Sequence, residues 1–320
     1  MYFWYQSVKL WLWILYPFSL LLRFISHIRR VLYRHDILKS TQISLPVIVV
    51  GNISVGGNGK TPFVIWLCEL LLKEGYKPGI ISRGYGGRSA HYPLLLGPDT
   101  LGAESGDEPL MLYKRLGLPI VVDPSRVQAA TYLQRNTDVD IIITDDGLQH
   151  YALKRDIEIV IVDGKRRFGN RHILPMGPLR EPLSRLASVD FVINNGAEHE
   201  GEISMYLVPS ACKTVDGRDA QLIPDGEINA CAAIGYPQRF FDTLEAQNFK
   251  LNQVQHFNDH HSYKLKDFAQ FETDIPLLMT EKDAVKCTGF AQKNWWYLPI
   301  SAKLPQPFEK QLLKKIKALK

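Results

Sequence analysis

The chain predicts an α/β fold, a parallel sheet with helices on both faces, followed by a smaller α/β region. Three observations predict it. Short β-branched runs alternate with stretches of helical period along most of the sequence, the pattern of strands joined by crossover helices. One run, residues 47–50, passes into a glycine-rich turn ending in Gly59-Lys60-Thr61. Another, residues 140–146, is an apolar strand that ends in two carboxylates, Asp145 and Asp146.

With 320 residues, 46% of them hydrophobic and 22% charged, the chain is a folded protein long enough for two cored domains. Its net charge of +5 is mildly basic. No arginine–aromatic stripe or nucleic-acid module accompanies that charge, so a nucleic-acid partner is not expected; an anionic membrane or a phosphorylated substrate suits it better. Cys68, Cys212, Cys231 and Cys287 are far apart and form no C-x-x-C pair. They indicate a reducing compartment and neither a zinc site nor a disulfide framework.

Taken in order, the elements begin with a segment crowded with aromatic and aliphatic residues that turns basic by residue 34. It shows neither the basic start nor the small-residue cleavage site of a signal peptide. A spanning helix needs about 20 apolar residues, and Lys9, Pro17 and Arg23 interrupt this run. Trp4, Trp11, Trp13 and Tyr16 suit the headgroup level, while Arg23, Arg29, Arg30 and Arg34 suit anionic lipid on the cytoplasmic side. Residues 1–38 therefore read as an interfacial or shallowly inserted helical anchor. The competing reading, a helix packed on the core, leaves many large apolar side chains to be covered.

Strands are predicted at 46–50, 78–82, 119–123, 140–145 and 157–163. Between them lie helices at 61–74 and 107–116, stopped by Gly75 and Gly117, and one capped by Ser125 that ends near Arg135. The Gly/Pro-rich stretch 164–182 reads as a functional loop. A second alternation starts near 210, with strands at 229–235, 251–257 and 276–280 and helices at 238–246 and 265–271. The expected organisation is an anchor over 1–38, a nucleotide-binding core over 39–209 and a smaller α/β domain over 210–320, hinged near 195–210.

The glycine turn is a phosphate cradle. Ser54, Val55, Gly56, Gly57, Asn58 and Gly59 offer backbone N–H groups to a polyphosphate, Lys60 reaches the outer phosphates, and the Thr61 hydroxyl suits Mg²⁺. Ser54 stands where a glycine is usual. Asp145 and Asp146 supply the acid expected beside such a cradle, a hard oxygen ligand for Mg²⁺ and its waters. Asp107 and Glu108 open a helix, where free N–H groups favour a carboxylate able to accept a hydroxyl proton; a plain helix cap has the same spacing. Asp259-His260-His261 suits acid–base or orienting work better than a metal. Arg83, Arg126 and Arg180 flank turns and can neutralise phosphate charge.

These residues resemble the tetraacyldisaccharide 4'-kinase family of lipid A biosynthesis. The resemblance spans almost the whole chain and rests on 51–62, Ser82-Arg83-Gly84-Tyr85-Gly86-Gly87, Gly106-Asp107-Glu108-Pro109, 145–150, 174–182, Asp259-His260 and Thr280-Glu281-Lys282-Asp283-Ala284. Ser54 looks normal for that family, and Pro17-Phe18-Ser19 with Arg29-Arg30 looks like its membrane-associated helix. The resemblance implies a two-domain phosphate-loop kinase, peripheral on the cytoplasmic face of a Gram-negative inner membrane. Such an enzyme moves the γ-phosphate of ATP, with Mg²⁺, to the 4'-hydroxyl of a lipid disaccharide 1-phosphate, with no obligatory protein partner.

Carried over residue by residue, it implies Lys60 on the outer phosphates, and Thr61 with Asp145, Asp146 or both on Mg²⁺. Asp107 becomes the proton acceptor tuned by His260 or His261. Arg126 stabilises the transferring group, and Arg83, Tyr85, Glu108, Arg180 and Glu181 set substrate, loop or metal geometry. Two readings from other classes compete. A membrane-surface ATPase or GTPase switch leaves Asp107, Asp259 and His260 without a task and lacks the N-K-x-D element that selects guanine. A non-catalytic nucleotide-binding scaffold predicts tolerance of Lys60→Met or Asp107→Asn.

Overall fold

The computed structural model describes residues 2–5, 10–218, 220 and 226–319; Lys9, one of the residues expected to break the apolar run, lies outside them. After short 3-10 turns comes α1 (Tyr16–Arg34), with Pro17 in its first turn, where the missing N–H has no helical partner to lose. The chain continues through β1 (Val47–Gly51), α2 (Lys60–Lys73), β2 (Pro78–Ser82), β3 (Leu94–Leu95), α3 (Gly102–Ser105), α4 (Asp107–Leu116), β4 (Ile120–Val122), α5 (Arg126–Asn136), β5 (Ile141–Asp145), β6 (Ile157–Asp163), β7 (Phe191–Asn195) and β8 (Ile203–Pro209). Next are β9 (Lys213–Thr214), β10 (Glu227–Ala232), α6 (Gln238–Ala246), β11 (Lys250–His256), β12 (Leu277–Thr280), α7 (Glu281–Cys287), β13 (Trp295–Leu298), β14 (Ile300–Lys303) and α8 (Gln306–Lys317).

Two sheets result. The first has nine strands in the order β14-β8-β7-β6-β1-β5-β2-β4-β3, parallel except for β3 and β14 at its edges. Its inner strands are buried on both faces and read as unbroken apolar runs, as parallel strands covered by helices must. On one face α2 buries Phe63, Leu67 and Leu71, each such side chain contributing about 1.5–3 kcal/mol on leaving water. On the other face α5 and the 168–186 segment cover Val49, Ile81 and Ile142. β1 lies between β5 and β6, and its register sets Val50 beside Asp145. The cradle and the acids therefore emerge together at the carboxyl end of adjacent strands.

The second sheet, β11-β10-β12-β13-β9, is parallel except for β9. It spans 213–298, and the chain then returns to the first sheet. β14 pairs antiparallel with β8, and α8 sets Phe308, Leu312 and Ile316 into the same core as Phe63. The expected split at 210 thus places one crossing where the chain leaves the first sheet; the second crossing, at Pro299, has no Gly-rich or polar signal in the sequence. The crossings lie side by side, with Ser210 N–H donating to Pro299 O at 2.9 Å. The stretch expected to hinge, 195–210, runs from the end of β7 through a turn into β8. The helix expected over 265–271 shortens to one 3-10 turn, Leu265–Phe268, and Phe268 and Phe271 both pack into the second core.

α1 is held by a narrow strip. Leu12 is fully buried, Ser19 Oγ accepts from Met176 N–H at 3.0 Å, and Arg30 donates to Ser188 Oγ at 2.8 Å. Leu10, Ile14, Phe18, Leu21 and Phe24 point outward. Trp11 and Trp13 are half exposed, as a headgroup role requires, but Trp4 is not: it is buried, and its Nε1–H donates to Pro175 O at 3.1 Å. Tryptophan satisfies its single donor where it can, and here the 174–182 loop supplies the acceptor.

Candidate active site

The cradle runs from the end of β1 to the start of α2. Gly59 precedes α2 with φ +93°, and a Cβ there would collide with the Asn195 side chain, so only glycine fits. Asn195, at the end of β7, donates from Nδ2 to Asn58 O at 3.0 Å. Ser54 has a reason to replace glycine. Its buried hydroxyl accepts from Asn58 Nδ2 at 3.0 Å, tying the two ends of the loop together. The 174–182 stretch forms the loop's outer wall: Val55 N–H donates to Pro178 O at 2.8 Å and Arg180 N–H to Ile53 O at 2.7 Å. Arg166 closes the other side, donating to Gly57 O at 2.5 Å while Asp163 holds its Nε at 3.1 Å.

Asp146 adopts a left-handed backbone, φ 52°, that brings its carboxylate onto Lys60 Nζ at 3.6 Å and Arg180 Nη1 at 2.9 Å. Burial alone would raise its pKa, but Lys60 and Arg180 hold it below the usual carboxylate range. Its neighbour is the opposite case. Asp145 is buried and pushed up to about 7, by burial first and by the charge of Glu108 second. Asp145 Oδ1 has no hydrogen-bond partner. A buried carboxylate oxygen without a donor, within reach of the charge of Lys60, fits a hard divalent cation or its water shell. Arg126 is buried beneath this turn, donating to the carbonyls of Asp123 and Asp145 at 3.3 and 3.4 Å; burial brings its pKa down to about 10.

Asp107 begins α4, and the 83–87 loop is wedged against that start. A Cβ on Gly84, φ +69°, would press on Ser105 O at 2.7 Å. His260, with φ 62° in the turn after β11, points Nδ1 at Asp107 Oδ2, 3.1 Å away. The ring of Tyr85 lies 5.3 Å from that of His260. His261 is committed elsewhere: it meets Asp267 at 3.1 Å and stacks on Phe257. Between the two histidines, Asp107 therefore faces His260. Glu108 meets Lys282 at 3.5 Å.

The structure thus gathers Lys60, Asp146, Asp145, Arg126 and Arg180 at one strand end and joins Asp107, Glu108, Tyr85 and His260 at the neighbouring start of α4, close enough for the charge of Glu108 to act on Asp145. Glu181 lines the cavity beside Arg180, its carboxylate held by Tyr151 Oη at 2.9 Å and paired with Arg185 Nε at 3.1 Å. Arg83 is exposed beside Arg126. Sequence reasoning missed Asn195, Asp163, Arg166 and Lys282. The first two end apolar strand runs, a signal of the same kind as that at Asp145.

Fold and site together define a phosphate-loop phosphotransferase, with a nucleotide cradle at the carboxyl end of a parallel sheet and a carboxylate–imidazole pair on a neighbouring helix start. A family model described as tetraacyldisaccharide-1-P 4'-kinase, LpxK, matches residues 11–317. A tetraacyldisaccharide 4'-kinase of Psychromonas ingrahamii is 62% identical over 318 residues, covering 99% of both chains. That of Aeromonas hydrophila is 52% identical over 98% of this chain and 95% of its own. A crystal structure of LpxK from Aquifex aeolicus in complex with ATP superimposes with a TM-score of 0.83 at 28% identity, over 97% of this chain and 99% of that one. The chain belongs to the tetraacyldisaccharide-1-P 4'-kinase family.

Proposed function

We propose that the residues gathered here carry out phosphoryl transfer from ATP to the 4'-hydroxyl of tetraacyldisaccharide 1-phosphate, a step of lipid A biosynthesis, with Asp107 as the proton acceptor. The carrying observation is the Asp107–His260 contact of 3.1 Å, a pair that a simple nucleotide switch has no use for. Lys60 and the loop N–H groups bind the outer phosphates. Mg²⁺ would be held by Thr61 with Asp145 and Asp146, where it neutralises charge on the transferring group. Arg126 adds positive charge behind that position. Asp107 takes the hydroxyl proton, and His260 orients its carboxylate.

A cavity of about 530 Å³ between α1 and the core, lined by Arg23, Arg29, Arg30, Gln149 and Arg180, supports placing the phosphorylated headgroup there. The outward apolar face of α1, part of a 25-residue helical stretch Leu10–Arg34, supports docking on a bilayer with the basic residues at the headgroups. ATP is cytosolic, so the site faces the cytoplasmic side of the inner membrane. Movement of the 213–298 body about its adjacent crossings would close the cleft and exclude water.

The deciding experiment is transfer of label from ATP to tetraacyldisaccharide 1-phosphate in detergent micelles with Mg²⁺. Labelled lipid from the intact protein, and far less from Asp107→Ala, is expected. Hydrolysis of ATP stimulated by empty vesicles, with no labelled lipid, would overturn the reading in favour of a membrane-surface ATPase. Deleting residues 1–31 moves the protein into the soluble fraction; unchanged partitioning would remove α1 as the anchor.

A further inference from the structure

Thr280-Glu281-Lys282-Asp283-Ala284 has no task in the reaction set out above, yet it fixes α7 against the helix that carries Asp107. Thr280 caps α7 by accepting from Asp283 N–H, the buried Asp283 accepts from Ala233 N–H at 3.0 Å, and Glu281 pairs with Arg115 of α4 at 3.2 Å. Held in that way, α7 presents two lysines one turn apart. Lys286 Nζ lies 3.8 Å from Asp107 Oδ2 and donates to His261 O at 3.1 Å. Lys282 Nζ lies 3.4 Å from His260 Nε2, 3.4 Å from Asp259 Oδ1 and 3.5 Å from Glu108 Oε1. Both side chains are largely buried.

An ammonium group has donors and no acceptor. The imidazole nitrogen facing it is then the one with the lone pair, and the ring proton sits on the other nitrogen, the one facing Asp107. We infer that Lys282 is a positioning residue for phosphoryl transfer: by donating to His260 Nε2 it fixes the neutral Nδ1–H tautomer, so that the ring donates to Asp107 Oδ2. The inference rests on the reading of Asp107 as proton acceptor. With Oδ2 engaged by the imidazole and by Lys286, Oδ1 is the oxygen left for the acceptor hydroxyl.

The groups facing His260 are Asp107 from α4, Asp259 from its own turn, Lys282 from α7 and the Tyr85 ring from the 83–87 loop, with Glu108 beyond Lys282 and Lys286 beyond Asp107. Burial works against the charge of Lys282, but Glu108 and Asp259 hold its pKa above the ordinary value, so the ammonium persists across the working pH range. Removing it leaves Asp259 and Glu108 unopposed beside the ring, which favours imidazolium. An imidazolium beside Asp107 makes that carboxylate a weaker base.

The test uses the full-length protein in micelles. Nitrogen-15 NMR of labelled histidine, with His260 assigned by loss of its signals in His260→Gln, is expected to show the Nδ1–H tautomer at pH 8; an Nε2–H tautomer would overturn the inference without recourse to activity. In Lys282→Met the acid limb of kcat against pH is expected to move up by about one unit, with the ATP KM within about twofold of wild type; Lys282→Arg, which keeps a charged donor, is expected to restore the limb. An unmoved limb in a Lys282→Met protein with unchanged thermal unfolding would also overturn it. Asp107→Ala separates the two readings: wild-type transfer by that variant removes Asp107 as the base, whereas loss of transfer beside an unmoved Lys282→Met limb removes only the tautomer role.

Discussion

The nucleotide cradle and the proposed proton-acceptor pair are built in different ways. The cradle belongs to one body: β1, β5, β6 and β7 end together, and Asn195, Arg166 and the 174–182 loop brace the turn through hydrogen bonds within the nine-stranded sheet and its loops. The pair is assembled across two bodies, Asp107 from α4 of the first and His260 from the turn after β11 of the second. The difference teaches that the phosphate turn is braced mainly within the first sheet and its loops, with a tie to the second body through Arg239 and Asp163 at 3.1 Å, whereas the Asp107–His260 contact depends wholly on how the two bodies are seated. On the proposed assignment of Asp107, proton transfer depends on that seating, which would restrain hydrolysis of ATP in an open site.

The strongest test of this contrast is Lys60→Ala, which strips the cradle of its phosphate-facing ammonium. A loss of about 10³-fold in kcat/KM for ATP is expected, and a shift confined to the lipid KM would break the assignment. Asp107→Ala should cost about 10²-fold or more in kcat while nucleotide affinity, read by titration calorimetry, stays at the wild-type value; equal loss of affinity in both variants would erase the distinction. Arg115→Met removes the pairing of α4 with Glu281 and loosens the seat without touching either site. About a tenfold fall in kcat with unchanged ATP binding is expected from misplacement, and wild-type kcat would mean that α7 needs no such fastening.

The smallest effect concerns His150, beside the Asp145–Asp146 turn. Burial first, then Arg126 and Arg29, bring its pKa down to about 4. Folding therefore favours the neutral ring: its contribution is complete above about pH 6.5, the ordinary histidine value, and declines as pH falls from there toward 4. Asp145, raised to about 7 by burial, acts with the opposite sign, its contribution lost as pH rises toward 7. The difference in unfolding midpoint between wild type and His150→Gln isolates the histidine, and it should shift against the wild type between pH 7 and pH 5. A constant difference would show that His150 titrates alike in both states.

The cradle was legible in the sequence because its groups are contiguous: glycines, Lys60 and Thr61 lie within eight residues, and Asp145 closes an unmistakable buried strand. The pair was legible only in halves. Asp107 and His260 were both singled out, but nothing in the sequence reports which of two adjacent histidines faces a helix 153 residues away. The structure decides through Asp267 and Phe257, which engage His261. The edge-side strands β8 and β14 escaped notice because partial exposure blurs their alternation, and β7 and β13 escaped it too, although both are largely buried. Trp4 was read as lipid-facing from its type alone, and a single carbonyl, that of Pro175, outweighs the type.

The neighbouring crossings at Ser210 and Pro299 carry a consequence for how the molecule is made. β8 finds its outer partner β14 only after the entire second sheet has been threaded between them, a separation of 91 residues for Ser210 and Ser301, whose hydroxyls meet beside the ladder. On the ribosome, the edge of β8 stays bare, and the core around Phe63 stays uncovered by α8, until the last stretch has emerged. The second sheet is thus an insertion between β8 and β14, and the bare β8 edge is a place where a nascent chain is open to mispairing or to a chaperone.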